Sequence, residues 1–451
     1  MLTLAQKVWK YEAWANQTTV HPLGVAIAGL VAICVLGGSR RIAIAGFFVL
    51  LFFVSTSQRV ILGSLDFDFV RILVIIGGVR VLVRGESSGL RFRMQDGLIL
   101  IFVLVSMIAT IVRTGGEGTV NRLGFSLDVL GLYFLSRCLV KTQEDLVWVL
   151  RIMVFPMILV AGFFFFERLT TKNLFYIFGG VAQETVMREG KLRCQGAFAH
   201  PIVAGVFFAC LIPMFFGAYL SRFKAREVFL LGILLSIGII FTTTSSTPAS
   251  AFLLGIIGWF AFAVRKNLNI LRWVVLLLAL SLHFVMENGI WHLLARIDLV
   301  GGSTGWHRYF LIDRAMVHFN EWYLLGTDST DHWGPGLYDV TNQFVLVGVN
   351  GGVLATCLLI LTIATSFATI GKILKSKKGN TNPRFIFGLG VSVFVHLCVF
   401  ISLSYFGQMT FLWYFTLAAI ESLGEFATAP AVRPRFVNRS SIMPRAEGAQ
   451  T

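Results

Sequence analysis

Apolar runs of about 16 to 25 residues recur along nearly the whole chain, each closed by a short cluster of polar, basic or helix-breaking residues. As a helix rising about 1.5 Å per residue, a run of this length crosses an apolar layer of about 30 Å. The pattern predicts about 12 to 13 transmembrane helices, near residues 22–36, 41–55, 69–84, 97–113, 119–137, 145–166, 200–220, 227–243, 248–265, 271–286, 341–367, 385–403 and 406–423. Two intervals, 167–199 and 287–340, are too long to be simple connectors, and loops of that length carry function or structure of their own.

No soluble domain fits between the runs, so residues 1–451 read as one integral membrane domain. Residues 1–21 mix aromatic with polar side chains and lack an apolar core with a small-residue cleavage site; they read as an interfacial helix rather than a signal peptide. Residues 424–451 are polar and contain proline, and read as a disordered cytoplasmic tail.

Composition agrees with the pattern. Of 451 residues 56% are hydrophobic and 14% charged, with a mean hydropathy of +0.78, which leaves too little polar surface for a soluble protein. The fold class is therefore an all-α polytopic membrane protein. A net charge of +15 would suit nucleic acid, but Lys and Arg sit in short loops rather than along one stripe. The segments GGSRR, RGESSGLRFRMQ, RCLVKTQE, SRFKAR, RKNLNILR, GKILKSKKGNTNPR and the tail VRPRFVNRSSIMPR hold 22 of the 38 Lys and Arg. The positive-inside tendency puts these segments and the C-terminus in the cytoplasm and the two long intervals outside; an odd span count puts the N-terminus outside. The six cysteines show no CxxC spacing, which argues against a disulfide framework or a zinc site.

Candidate chemistry collects on the outer side. In MREGKLRCQGAFAHPIVAG, Pro201 suits the first turn of a helix with His200 at its entry, and Arg188, Lys191 and Arg193 lie just before it. Basic residues on that side run against the topological tendency, and guanidinium groups bind phosphate oxygens in pairs. Pairing with Glu184 and Glu189 is the plainer reading. In 287–340 an amphipathic helix is expected near 306–323, capped by Ser303 or Thr304, with His307, Arg314, His318 and Glu321 close to one face and Arg308 about 100° from His307. A solvated face with snorkelling arginines competes as the reading of Arg314 and His318.

TTTSSTP at 242–248 joins two spans with hydroxyls that either line a cavity or cap a helix. Asp128 is a rare intramembrane acid, either a functional candidate or the partner of Arg122, while Arg80 and Arg151 read as snorkelling at inner helix ends. The stretch DHWGPGLYDVTNQF makes a turn at Gly334, Pro335 and Gly336 and leaves Asp339 to cap the next span. His332, Tyr338, Thr341, Asn342 and Gln343 crowd the same helix mouth. Neither a phosphate-binding glycine loop nor a metal-ligand cluster is apparent.

The order of these elements resembles the O-antigen ligase and O-antigen polymerase superfamily of bacterial membrane glycosyltransferases. The resemblance rests on Arg193 before GAFAHP, the TTTSSTP junction, WHRYFLIDRA in a long outer loop, YLLGTDSTDHWGPG, and TNQFVLVGVNGG opening a span. It covers roughly residues 190 to 365. It implies a GT-C-like fold and an inverting, metal-independent transfer from a polyprenyl diphosphate-linked glycan to an acceptor hydroxyl, on the periplasmic face of the inner membrane. Lipid, lipid-linked glycan, a glycan or lipid acceptor and other polysaccharide assembly proteins would be its partners, with no nucleic acid and no cofactor.

By that resemblance Arg193 and Arg308 hold the diphosphate, with Arg188, Arg314, His200 and Asn342 as further substrate-binding candidates. The family pattern has a histidine before the asparagine that opens the span, and Thr341 stands there. Threonine is no base near neutral pH, so the proton falls to Asp339, placed better by a helix entry, or to His332. A transporter or flippase of lipid-linked sugars and a non-catalytic scaffold of a polysaccharide assembly are the competing functions.

Overall fold

The computed structural model describes residues 17–115, 118–286, 291–293, 305–376 and 381–428. Every predicted apolar run is helical in it. In chain order these helices are α1 (Pro22–Gly37), α2 (Arg40–Phe53), α3 (Phe69–Val83), α4 (Met94–Thr114), α5 (Thr119–Ser126), α6 (Leu132–Leu139), α7 (Gln143–Thr170), α8 (Pro201–Leu220), α9 (Glu227–Thr242), α10 (Ser246–Phe260) and α11 (Leu268–Val285). Two short helices follow, α12 (Gly305–Val317) and α13 (Phe319–Trp322), then α14 (Gln343–Lys375), α15 (Pro383–Val399) and α16 (Gln408–Thr428). A π-helical turn, Leu127–Gly131, joins α5 to α6 into one run. Two small antiparallel hairpins complete the structure, β1 (Arg59–Leu62) with β2 (Leu65–Asp68) and β3 (Met187–Arg188) with β4 (Lys191–Leu192).

Helix starts follow from local chemistry. Asp68 accepts from Arg71 N to begin α3, and Thr142 with Asp145 forms a capping box that starts α7 two residues before its apolar run. His200 Nδ1 accepts from Ile202 N, and Pro201 takes the first helical position, where no N–H is needed.

The packing centre is α8, buried along nearly its whole length against α9, α10 and α15. Phe52, Phe164, Phe198, Phe207 and Phe208 pack edge to face and stacked around it within one continuous core. Around this core α4, α7, α8 and α14 are each long and apolar enough to cross a membrane. Leu30, Ile33, Leu104, Ile108, Ile158, Leu159 and Ile257 are exposed on the outside of the bundle, an apolar surface that suits lipid rather than water.

Polar contacts between helices sort into two ends. At a basic end Arg41 pairs with Asp145 at 2.6 Å, Asn382 joins Gln143 and Ser221, and Arg151 donates to the Lys224 carbonyl. Here Arg80 is buried rather than snorkelling, held by Glu86 at 2.7 Å and by the Val35 carbonyl. A buried network lies beside it: Arg137 reaches Asp96 and Glu425, both at 3.3 Å, Tyr133 donates to Asp96, and Arg93 pairs with Glu421. Glu425 thus belongs to α16, which runs to Thr428, so the polar tail does not begin at 424. Its remainder, like residues 1–16 and the expected cap at Ser303 or Thr304, lies outside the described residues.

The opposite, loop-rich end carries residues 171–199 and 305–342. Asp128 does not pair with Arg122: Arg71 holds it through two hydrogen bonds of 2.8 and 2.9 Å, and Arg122 turns to Thr110 and Asn350 instead. The helix expected over 306–323 is interrupted at His318, which leaves helical geometry between α12 and α13.

α14 is broken at Gly352, where φ is 74° and ψ is −177°. Thr356 Oγ1 comes within 3.5 Å of the Phe344 carbonyl; a straight helix would separate residues twelve apart by about 18 Å. The break is filled from outside. Val353 N donates to Tyr323 O, Thr327 N donates to Val349 O, and Arg113 donates to the Leu325 and Val349 carbonyls. A Cβ at 352 would stand 2.2 Å from the Leu324 carbonyl oxygen. Gly352→Ala is therefore expected to lower the thermal midpoint by several degrees, through strain of about 1–3 kcal/mol plus the clash. Gly371→Ala, at a helical position with open space around it, is expected to leave the midpoint unchanged or raise it; circular dichroism melts in detergent compare the two.

Candidate functional site

The link from α9 to α10 is the floor of the site. Thr242 and Thr243 turn their hydroxyls back onto Ile239 O and Ile240 O, and Thr244 takes a left-handed φ of 44°. Ser245 ends the turn without capping α10, which leaves the Ser245 and Thr247 hydroxyls free to face other elements. Gly205 lets this turn lie against α8, since a Cβ there would meet the Pro248 ring at 2.5 Å.

Two arginines from distant parts of the chain end on this turn. Arg308, one turn into α12, donates from Nη2 to Thr247 Oγ1 at 2.7 Å, and Arg193 Nη2 reaches Ser245 Oγ at 3.4 Å. Both are buried, with 8% and 9% exposure, and neither makes an ion pair among the described residues. Arg193 Nε is buried without any acceptor. Burial lowers the pKa of both guanidiniums, and Arg188 lowers that of Arg193 further. A buried guanidinium without a carboxylate is costly, and among the described residues these two arginines reach only hydroxyls of one turn.

The loop behind Arg193 is rigid for an identifiable reason. Glu167, fully buried at the end of α7, accepts from Gln195 N and Gly196 N at 3.1 Å and from Thr185 Oγ1 at 2.9 Å. Cys194 N donates to Thr242 O, which seats Arg193 against the floor. His200 stands nearby, its pKa pushed down to about 4 by burial and then by Arg193 and Arg188, so its ring is neutral near pH 7. Arg188 is exposed and loosely paired with Glu189 at 3.7 Å. Arg314 stacks on Phe310 with its Nε buried and unpartnered.

The helix mouth differs from the expectation. Asp339 does not cap α14; Asn342 does, its Oδ1 accepting from Phe344 N and Val345 N while its Nδ2 donates to Ile401 O. Both ends of the Asn342 amide are thus occupied by backbone, which is a structural use rather than a substrate contact. Asp339 sits two residues beyond buried Leu337 and just before buried Val340, so its backbone is pinned. Its carboxylate is exposed and forms no hydrogen bond or ion pair among the described residues. The Thr341 hydroxyl is buried and unpartnered.

His332 is committed elsewhere: its Nε2 lies 2.7 Å from Glu321 Oε2. The other Glu321 oxygen lies 2.6 Å from His318 Nδ1, and Trp333 Nε1 donates to the same carboxylate at 2.9 Å. The indole N–H, with the two imidazoles, holds the Glu321 carboxyl at about 2. The sequence reading missed this His–Glu–His cluster. His318 and Glu321 are three apart, a spacing that flags a shared face, but His332 reaches them only through the fold of the turn.

No family model matches this sequence, and no curated protein matches it.

Two outcomes are expected from stability measurements. Arg308→Gln removes an unpaired buried charge and should leave unfolding free energy unchanged or raised, whereas Arg137→Gln strands Asp96 and should cost about 3–5 kcal/mol; denaturation in detergent micelles separates them. His200 has an unfolded pKa near 6.5 and a folded value of about 4. Between those values the unfolded chain holds a proton that the folded chain lacks, so stability falls as pH drops from about 6.5 toward 4. The melting midpoint of His200→Asn, which keeps a helix cap, should change less between pH 7 and pH 5 than that of the wild type.

Proposed function

We propose that the protein transfers a glycan from a polyprenyl diphosphate carrier to an acceptor hydroxyl at its loop-rich end. On this reading that end lies at the outer face of a bacterial inner membrane and the basic end faces the cytoplasm, in keeping with the retention of Lys and Arg inside. The observation that carries the proposal is the pair Arg193 and Arg308, buried without carboxylates on the Ser245 and Thr247 turn. A diphosphate leaving group supplies the negative charge such a pair lacks, and guanidinium groups bind its oxygens at fixed geometry. Arg314 would add a third positive charge, with Arg188 at the rim.

In the reaction the acceptor oxygen bonds to the anomeric carbon from the face opposite the diphosphate. The bond from that carbon to the diphosphate oxygen breaks with its electron pair, and the arginines stabilise the charge that develops there. The acceptor proton passes to Asp339, whose carboxylate is exposed and unpaired, on a backbone held by Leu337 and Val340. His332 is the weaker candidate because Glu321 already occupies the ring nitrogen that faces it. The chemistry requires no metal, and the proposal places the chain with the O-antigen ligase and polymerase superfamily and its GT-C-like fold.

A second reading, translocation of the lipid-linked sugar, draws on the broken helix at Gly352 and on Arg122, Thr110 and Asn350 beside it, since transporters build their routes at discontinuous helices. Purified protein in proteoliposomes with a labelled polyprenyl diphosphate sugar distinguishes the two. Asp339→Asn should lower transfer by about 10²–10⁴ with donor binding retained, and Arg308→Ala should weaken donor binding itself. Full transfer by both variants sinks the assignment; movement of the donor across the bilayer without transfer supports the second reading.

A further inference from the structure

His318 and Glu321 have no role in the transfer chemistry above, and His332 is there only the weaker candidate base. His318 marks the interruption between α12 and α13, Glu321 lies in α13, and His332 lies in the 3-10 turn Asp331–Trp333. One nitrogen from each imidazole and one carboxylate oxygen all fall within 4.8 Å of one another. Glu321 and His332 are exposed and His318 is half-buried, so an ion has open access from solvent.

We propose that these three residues bind a divalent transition-metal ion, with Zn²⁺ the best fit. Two imidazole nitrogens and one carboxylate oxygen are a borderline-soft donor set that suits Zn²⁺, Co²⁺ or Ni²⁺ rather than Mg²⁺ or Ca²⁺. Tetrahedral Zn²⁺ with bonds of about 2.0–2.1 Å spaces its donors about 3.3 Å apart. With Glu321 Oε1 as the ligand its 2.6 Å contact with His318 Nδ1 opens by about 0.7 Å, with Oε2 the 2.7 Å contact with His332 Nε2 opens by about 0.6 Å, and the other donor separations adjust from at most 4.8 Å. Neutral imidazole carries one proton on either nitrogen, so the ring nitrogens that now face Glu321 become ligands by a change of tautomer. A fourth position stays open to water.

The surroundings already supply the outer support that metal ligands need. Trp333 donates to Glu321 Oε2 and stacks on the His318 ring, with ring centres 5.5 Å apart and planes 9° from parallel. The ion would tie the α12–α13 interruption to the turn that leads to Asp339. It would clamp the outer segment without touching the reacting groups.

Chain purified with a chelator and then freed of it is titrated with Co²⁺, read by its d–d absorption, and with Zn²⁺ in competition with a chromophoric chelator. One equivalent is expected for the wild type and for His21→Ala, a histidine at the α1 cap. His318→Ala, Glu321→Gln and His332→Ala should each weaken binding by at least about 100-fold, and Trp333→Phe by about 10-fold. Zn²⁺ should also slow backbone hydrogen exchange over residues 318–333 in the wild type. His332 is exposed and its replacement least able to disturb folding, so it decides the matter. Undiminished affinity in His332→Ala, or no saturable binding by the wild type, overturns the site.

Discussion

A helix that stops inside an apolar bundle leaves backbone groups that only other protein atoms can satisfy. At Gly352 those atoms come from residues 323–327 and from Arg113, so the segment 323–327 is tied into α14 through its own backbone. The rest of the loop-rich end depends on that attachment. Leu311, Ala315, Trp322, Trp333, Leu337 and Val340 form a second small core against Val345 and Val349, on the part of α14 before the break. This core carries α12, and with it Arg308, onto the Thr247 hydroxyl, and it fixes the backbone on both sides of Asp339.

Ion-paired arginines occur at both ends of the bundle, since Arg71 meets Asp128 as Arg137 meets Asp96. Arg137, Arg93, Arg80 and Arg41 each meet a carboxylate, and the most buried of them sit in networks that satisfy several donors at once. Arg193 and Arg308 are also buried, and among the described residues their guanidinium groups meet only hydroxyls. Hydroxyl oxygens orient a guanidinium without neutralising it.

Much of this was legible beforehand, and the residues show why. The apolar runs became helices because a backbone surrounded by apolar groups must bond within itself, and caps such as Asp68, Thr142 and His200 are local. The arginines of the outer intervals stood out because they oppose the expected charge distribution. Apart from the break at His318 and the later end of α16, the features that differ concern which side chain meets which. Arg122 is the nearer candidate partner for Asp128 along the chain, but Arg71 holds it in the fold. Asp339 was read as a cap three residues before Asn342 took that role, since several polar residues at a helix mouth compete and only the backbone path chooses.

By itself the sequence determined the helical, lipid-compatible body, the division into a basic end and a loop-rich end, and the set of polar residues held by the outer segment. Those properties depend on hydrophobic periodicity and charge, which are local or additive along the chain. Tertiary structure alone decided that Arg193 and Arg308 converge on one turn, that α14 breaks at Gly352, and that Glu321 gathers His318 and His332. Each of these joins residues far apart in the chain or reverses its direction, and the side-chain order along a strand of sequence carries no record of such a meeting until packing imposes it.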